Sequence, residues 1–89
     1  MVNTELIHVG FGNFVSMNKV LAIASPESAP IKRMVQAVKS KGLLVDLTSG
    51  RKTKAALVME GGHIALVAIA PETIAGRLAS SRETETPKA

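Results

Sequence analysis

Apolar residues along this chain alternate between two periods. Leu6-Ile7-His8-Val9 is a short strand-type run closed by Gly10-Phe11-Gly12-Asn13, and Phe14-Val15-Ser16 offers a brief continuation. Lys19 to Ala24 (KVLAIA) forms another strand signal, bounded by the Ser25-Pro26 break. The period then changes. Ile31, Met34, Val35 and Val38 fall at i, i+3, i+4 and i+7, one apolar stripe of a helix. Pro30 suits the first helical position, where a missing N–H is no loss, and Gly42 suits the position just past the end. A start at Ser25-Pro26 would leave Pro30 inside the helix, so the later start is preferred.

Leu43 to Leu47 (LLVDL) returns to a strand pattern, followed by the polar connection Thr48 to Lys54 (TSGRKTK). Ala55 to Glu60 and Ile64 to Ile69 are two further strands joined through Gly61-Gly62. A Gly pair between such runs predicts a hairpin, because primed turns need positive φ. Pro71 to Leu78 predicts a short helix with Ile74 and Leu78 on one face. Ser80 to Ala89 has no apolar periodicity and reads as a disordered polar tail. The expectation is one α+β domain over residues 1–79: four to five mostly antiparallel strands with two helices.

The strands carry a second message. Val20, Ala22 and Ala24 face one way, Leu21 and Ile23 the other, and Ile64 to Ile69 is equally apolar on both sides. A sheet with one solvated face should alternate apolar with polar residues. Two short helices cover one face of a five-stranded sheet, so the other face is expected to bury against further copies of the chain. Composition strengthens this. Only two of 89 residues are aromatic, both Phe, although the chain is 46% hydrophobic. A core of that kind is marginal alone at this size. The chain is therefore expected to form a closed homo-oligomer.

Charge narrows the partner. The net charge is +4, but seven cations (Lys32, Arg33, Lys39, Lys41, Arg51, Lys52 and Lys54) face one acid, Asp46, between residues 32 and 54. That segment carries +6 and the remainder −2, a regional excess of the kind a phosphate-binding surface needs. Gly50-Arg51-Lys52-Thr53-Lys54 is its densest part: three cations and a hydroxyl in a connection after Gly, where backbone N–H groups can also approach phosphate. Lys39 and Lys41 are accounted for by the helix C-terminus, whose dipole favours cations. Lys32 and Arg33 lie near the helix start, where the dipole disfavours them, so they either pair with Glu27 or face a ligand. Gly10-Phe11-Gly12-Asn13 lacks the rest of a dinucleotide fingerprint and reads as a tight turn or bulge with Phe11 packed inside. With so few aromatics, duplex or phosphate binding is favoured over stacking on single-stranded bases.

Catalytic chemistry does not assemble. The chain has no Cys, and His8 and His63 lack a second ligand at metal spacing. No Ser sits in a nucleophile elbow. The chain is read as no enzyme, with no metal, cofactor or small-molecule substrate. The longest run without charge, Leu6 to Asn18, is too short and too interrupted to span a membrane, which needs roughly 20 apolar residues. No basic region precedes an apolar one at the start, so a cytoplasmic location and no membrane partner are expected.

Four stretches in order, Gly10-Phe11-Gly12-Asn13, Ser25 to Arg33 (SPESAPIKR), Gly50 to Ala55 (GRKTKA) and Pro71-Glu72-Thr73, resemble the RemA family of bacterial regulators of extracellular-matrix (biofilm) genes. The likeness runs from about Leu6 to Leu78, and SPESAPIKR is its most specific part. It implies a small cytoplasmic protein that binds double-stranded DNA, regulates transcription and forms a ring-shaped homo-oligomer. The family's basic position in the second strand region falls on Lys19, and its basic pair after Gly falls on Arg51 and Lys52. Family members usually carry Arg at all three. Lys keeps the charge but loses the planar fork, so the resemblance carries phosphate contact further than base-specific readout. Pro30 matches a family proline and is read as a helix-start residue. The expected DNA-binding residues are Arg51, Lys52, Lys19, Lys54 and Arg33. The alternative is an RNA- or ribosome-associated module using the same basic surface.

Overall fold

The computed structural model describes residues 5–85. Two short strands, β1 (Leu6–His8) and β2 (Phe14–Ser16), pair antiparallel with Ile7 opposite Val15 and form a two-stranded unit of their own. A 3-10 turn over Met17–Lys19 leads into β3 (Val20–Ala24), so Lys19 precedes the strand rather than opening it. Then follow α1 (Ala29–Ser40), β4 (Leu44–Asp46), β5 (Ala55–Met59), β6 (Ile64–Val67) and α2 (Pro71–Glu85). The second sheet has the order β3-β5-β6-β4. Its β3–β5 and β5–β6 ladders are antiparallel, and β4 joins β6 in parallel.

The α+β class and the two helices are as expected. The strand count is not: six strands form two sheets, in place of four or five in one. This changes how the apolar strand faces are explained. Residues opposite one another in a ladder share a face, so Ile23, Leu57 and Ala65 lie together, as do Ala55 and Val67. That face packs against Ile7, Val9, Val15 and Met17 of the β1–β2 unit and Ile74 of α2. The opposite face carries Ala56 and Leu66, and α1 lies over it, with Lys32, Val35 and Gln36 bordering a cleft with Leu66. The four-stranded sheet is thus the middle of three layers. Both faces are apolar because each is partly covered within one chain, although Val45, in register with Ala65, stays 40% exposed.

The long crossover has a simple geometry. β3 and β4 run in the same direction at opposite edges, so the chain must cross the sheet between them. Three strand spacings come to about 14 Å, and the 12 residues of α1 span about 18 Å. The helix begins at Ala29, one residue before the expected start, after Ser28 in extended conformation. Pro30 therefore stands second, still among the first four positions whose N–H groups have no helical partner. At the other end the Leu43 N–H donates to Val38 O and the Gly42 N–H to Lys39 O, with Gly42 at φ 74°, the double bond of a Schellman cap.

The Gly61-Gly62 connection forms the expected hairpin, with both glycines at positive φ and Val58 opposite Ile64. α2 continues through Glu85, past the expected boundary at Leu78 and into the segment read as a tail. No breaker stands between Gly76 and Pro87, and Ala, Arg and Glu sustain a helix without apolar periodicity. Residues 86–89 lie outside the described residues. Among the described residues no helix is long and apolar enough to cross a membrane.

Candidate nucleic-acid interface

The basic connection between β4 and β5 is built from its carboxylate upward. Asp46 ends β4, and its Oδ1 accepts from the Thr48 hydroxyl at 2.6 Å and from the Thr48 N–H at 3.0 Å. These donors hold the Asp46 carboxyl below the usual carboxylate range; the hydroxyl bond is the larger cause, and slight desolvation opposes both. Thr48 itself is buried. Ser49 and Gly50 follow at φ 55° and 80°, and the Arg51 N–H donates back to Thr48 O at 3.0 Å. Two consecutive left-handed residues closed by that bond make a primed turn, which explains the Gly at the second central position. Both ends are pinned to β6: the Leu47 N–H donates to Leu66 O and the Lys54 N–H to Val67 O.

A second loop, forty residues away in sequence, meets this turn. Gly10, Phe11 and Gly12 all take positive φ, and Gly10 is buried with Ile69 so close that a Cβ would sit 3.1 Å from its Cδ1. The Asn13 side-chain amide donates to Gly10 O at 3.1 Å and reaches Leu47 O at 3.4 Å, bridging the two loops. The Arg51 guanidinium stands over the Phe11 ring, 4.5 Å from its centre. Phe11 is therefore not packed inside, as the sequence suggested, but 46% exposed. The fold joins two of the motif stretches singled out in the sequence, Gly10–Asn13 and Gly50–Lys54, into one surface.

Of the other expected residues, Lys52, Lys54 and the start of α1 lie beside it, while Lys19 sits at the far end of β5, next to Met59 rather than Ala55. Lys52 and Lys54 are exposed in the same connection as Arg51. Lys19 pairs with Glu60, Nζ to Oε1 3.5 Å, at the rim of an open cleft of about 630 Å³ floored by Val45, Leu47, Met59 and Ala65. Arg33 is exposed on α1. Its neighbour Lys32 borders the cleft that also holds Thr53, which brings the start of α1 beside the basic connection. The structure thus joins Arg51 to Phe11 and leaves Lys19 with an acidic neighbour that sequence reasoning did not assign. Asp46-Leu47-Thr48 was the readable signal for the turn, because Asp bonds to the backbone two residues on in an Asx turn. Nothing in the sequence marked Glu60 as the partner of Lys19.

Comparison with known proteins bears on what this surface serves. The model of the "Extracellular matrix regulatory protein A-like" family matches residues 6–78, which takes in both loops and every expected site residue. The chain belongs to the RemA-like family. Among its relatives, a protein of Dehalococcoides mccartyi is 59% identical over 78 residues, covering 88% of this chain and 81% of the relative. One from Thermoanaerobacter is 50% identical over 82 residues, covering 92% and 85%. One from Crocosphaera subtropica is 50% identical over 86 residues, covering 97% and 96%. All three are named only as regulatory proteins. The RemA-like assignment made from the four sequence stretches is therefore correct, and the chain is of a regulatory kind.

Proposed function

We propose that this RemA-like chain is a transcription regulator of extracellular-matrix genes that binds double-stranded DNA as a homo-oligomer. The observation that carries the reading is the joined surface: a turn fixed by Asp46 and Thr48 and tied to the Gly10–Asn13 loop, with Arg51, Lys52 and Lys54 exposed on it. Fixed cations lose less entropy on meeting phosphate than cations on a free loop. Arg51 is the principal contact, Lys52 and Lys54 add phosphate contacts, and Arg33 adds charge from the second turn of α1. Lys19 contributes once it leaves Glu60.

Oligomerisation rests on the exposed apolar side chains. Leu6, Phe14, Leu21, Met34 and Val45 are all at least 40% exposed, Leu21 at 67%. α1 fully buries none of its residues. In so small a chain this much exposed apolar area marks an interaction surface.

The test is competition binding. A labelled promoter-length duplex is displaced from the protein by unlabelled duplex or by structured RNA of equal length. Duplex is expected to compete better. Equal or better competition by RNA would transfer the basic surface to an RNA-associated role.

A further inference from the structure

We propose that Phe11 is a positioning residue for Arg51, a platform whose ring fixes the guanidinium for phosphate. This rests on the DNA-binding reading above. A guanidinium carries its N–H donors in its own plane. A ring against one flat face therefore leaves the donor edges free for phosphate oxygens while restricting how the group turns. The Arg51 guanidinium lies 4.5 Å from the Phe11 ring centre, within cation–π range.

Two simpler explanations of Phe11 fail on the structure. Packing does not account for it, because the ring is 46% exposed while Val9 and Val15 on either side of the loop are buried. Turn chemistry does not account for it either. Its φ of 56° is left-handed, where Gly or Asn sits readily and a bulky residue is strained. Among the described residues Ser49, at φ 55°, is the other non-glycine with positive φ, and it lies in the facing turn. Left-handed non-glycine backbone thus occurs in each of the two loops that the contact joins, and at Phe11 it falls on the contacting residue itself, as where a functional geometry is held. Asn13 supplies the rigidity, since its amide joins the loop of the ring to the strand end before the turn of the guanidinium.

The experiment is a double-mutant cycle on the full chain with a fluorescent duplex: Phe11→Asn, Phe11→Tyr, Arg51→Gln and Phe11→Asn with Arg51→Gln. Asn accepts left-handed backbone, so Phe11→Asn removes the ring and relieves the strain together. It should weaken duplex binding about two- to fivefold, the range of an exposed cation–π contact. Its melting temperature should stay level or rise, and its oligomeric mass should not change. Phe11→Tyr should bind as the parent does. In the Arg51→Gln background Phe11→Asn should cost nothing further. Without DNA, the Arg51 Nε–H resonance should lose its ring-current shift in Phe11→Asn.

A parent that binds no duplex, or an Arg51→Gln variant that binds like the parent, overturns the DNA-binding reading and the platform with it. If those two behave as expected, the platform alone is overturned by any of three results. These are undiminished binding by Phe11→Asn, an equal loss in both backgrounds, and a loss accompanied by lower mass or melting temperature.

Discussion

Thr48 is the buried polar residue on which the basic turn hangs, and its partner is a carboxylate, so the turn is sensitive to acid. The Asp46 carboxyl has its pKa depressed by the Thr48 bonds, which add stability above the unfolded pKa that is lost as pH falls through the folded value. Asp46→Ala should therefore lower the melting temperature at pH 7, and the gap to the parent should narrow as pH falls below the ordinary Asp value of about 3.9. A gap that stays unchanged as the carboxyl is titrated in acid would mean that the carboxylate is not what stabilises the turn. The cations rank by their surroundings. Arg51→Ala should reduce duplex affinity most, roughly tenfold or more, because bonds to charged groups are worth about 1.5–3 kcal/mol. Lys52→Ala and Lys19→Ala should follow, with Lys39→Ala and Lys41→Ala near neutral. Glu60→Gln should act the other way, releasing Lys19 and raising affinity about two- to threefold, the scale of an exposed ion pair. Binding measured at one salt concentration checks the order; Lys39→Ala below Arg51→Ala would reassign the surface. The basic residues were legible in the sequence as a cluster. What they rest on was not: the Phe11 ring and the Glu60 carboxylate are brought in from 40 and 41 residues away, and local spacing holds no record of such contacts.

Elements that depend on neighbouring residues were readable for the same reason that distant contacts were not. The stripe of α1, its Gly42 stop and the Gly61-Gly62 hairpin are all set by a few residues in succession. The parallel seat of β4 on β6 depends on a crossover, and the separate β1–β2 layer on a pair of three-residue strands too short to show which sheet they join. Two glycines test the element ends. Gly42→Ala should cost about 1–2 kcal/mol through its left-handed backbone alone, with binding unchanged. Gly10→Ala should cost at least about 2 kcal/mol, because strain at φ 101° adds to the approach of Ile69. It should also weaken binding, since it disturbs the loop that carries Phe11. Thermal melts and duplex titrations of both variants separate the two effects; equal behaviour would remove the special role of the Gly10 loop.

At the scale of the whole molecule, the exposed apolar side chains predict a light-scattering mass several times 9.3 kDa at micromolar concentration. A stable monomer at that concentration would leave those side chains without the proposed role. An oligomer repeats each cation around its surface, so affinity should fall steeply with salt, with a log–log slope of about −0.9 for each contacted phosphate. Longer duplexes should bind more tightly as more protomers engage; a flat salt response would place DNA elsewhere. The strand order β3-β5-β6-β4 has a consequence for how the protein is made. The outer strands are synthesised first and the central pair last, so on the ribosome β3, α1 and β4 emerge with no sheet to join. Only the β1–β2 unit can pair early. β3 can pair once β5 has emerged, but β4 must wait until Val67 has left the ribosome, and the basic turn, pinned to β6 at both ends, forms only then. A nascent chain stalled before β6 would expose its apolar strands to chaperones and carry no ordered basic turn, so whatever that turn recognises could not be held by a half-made chain.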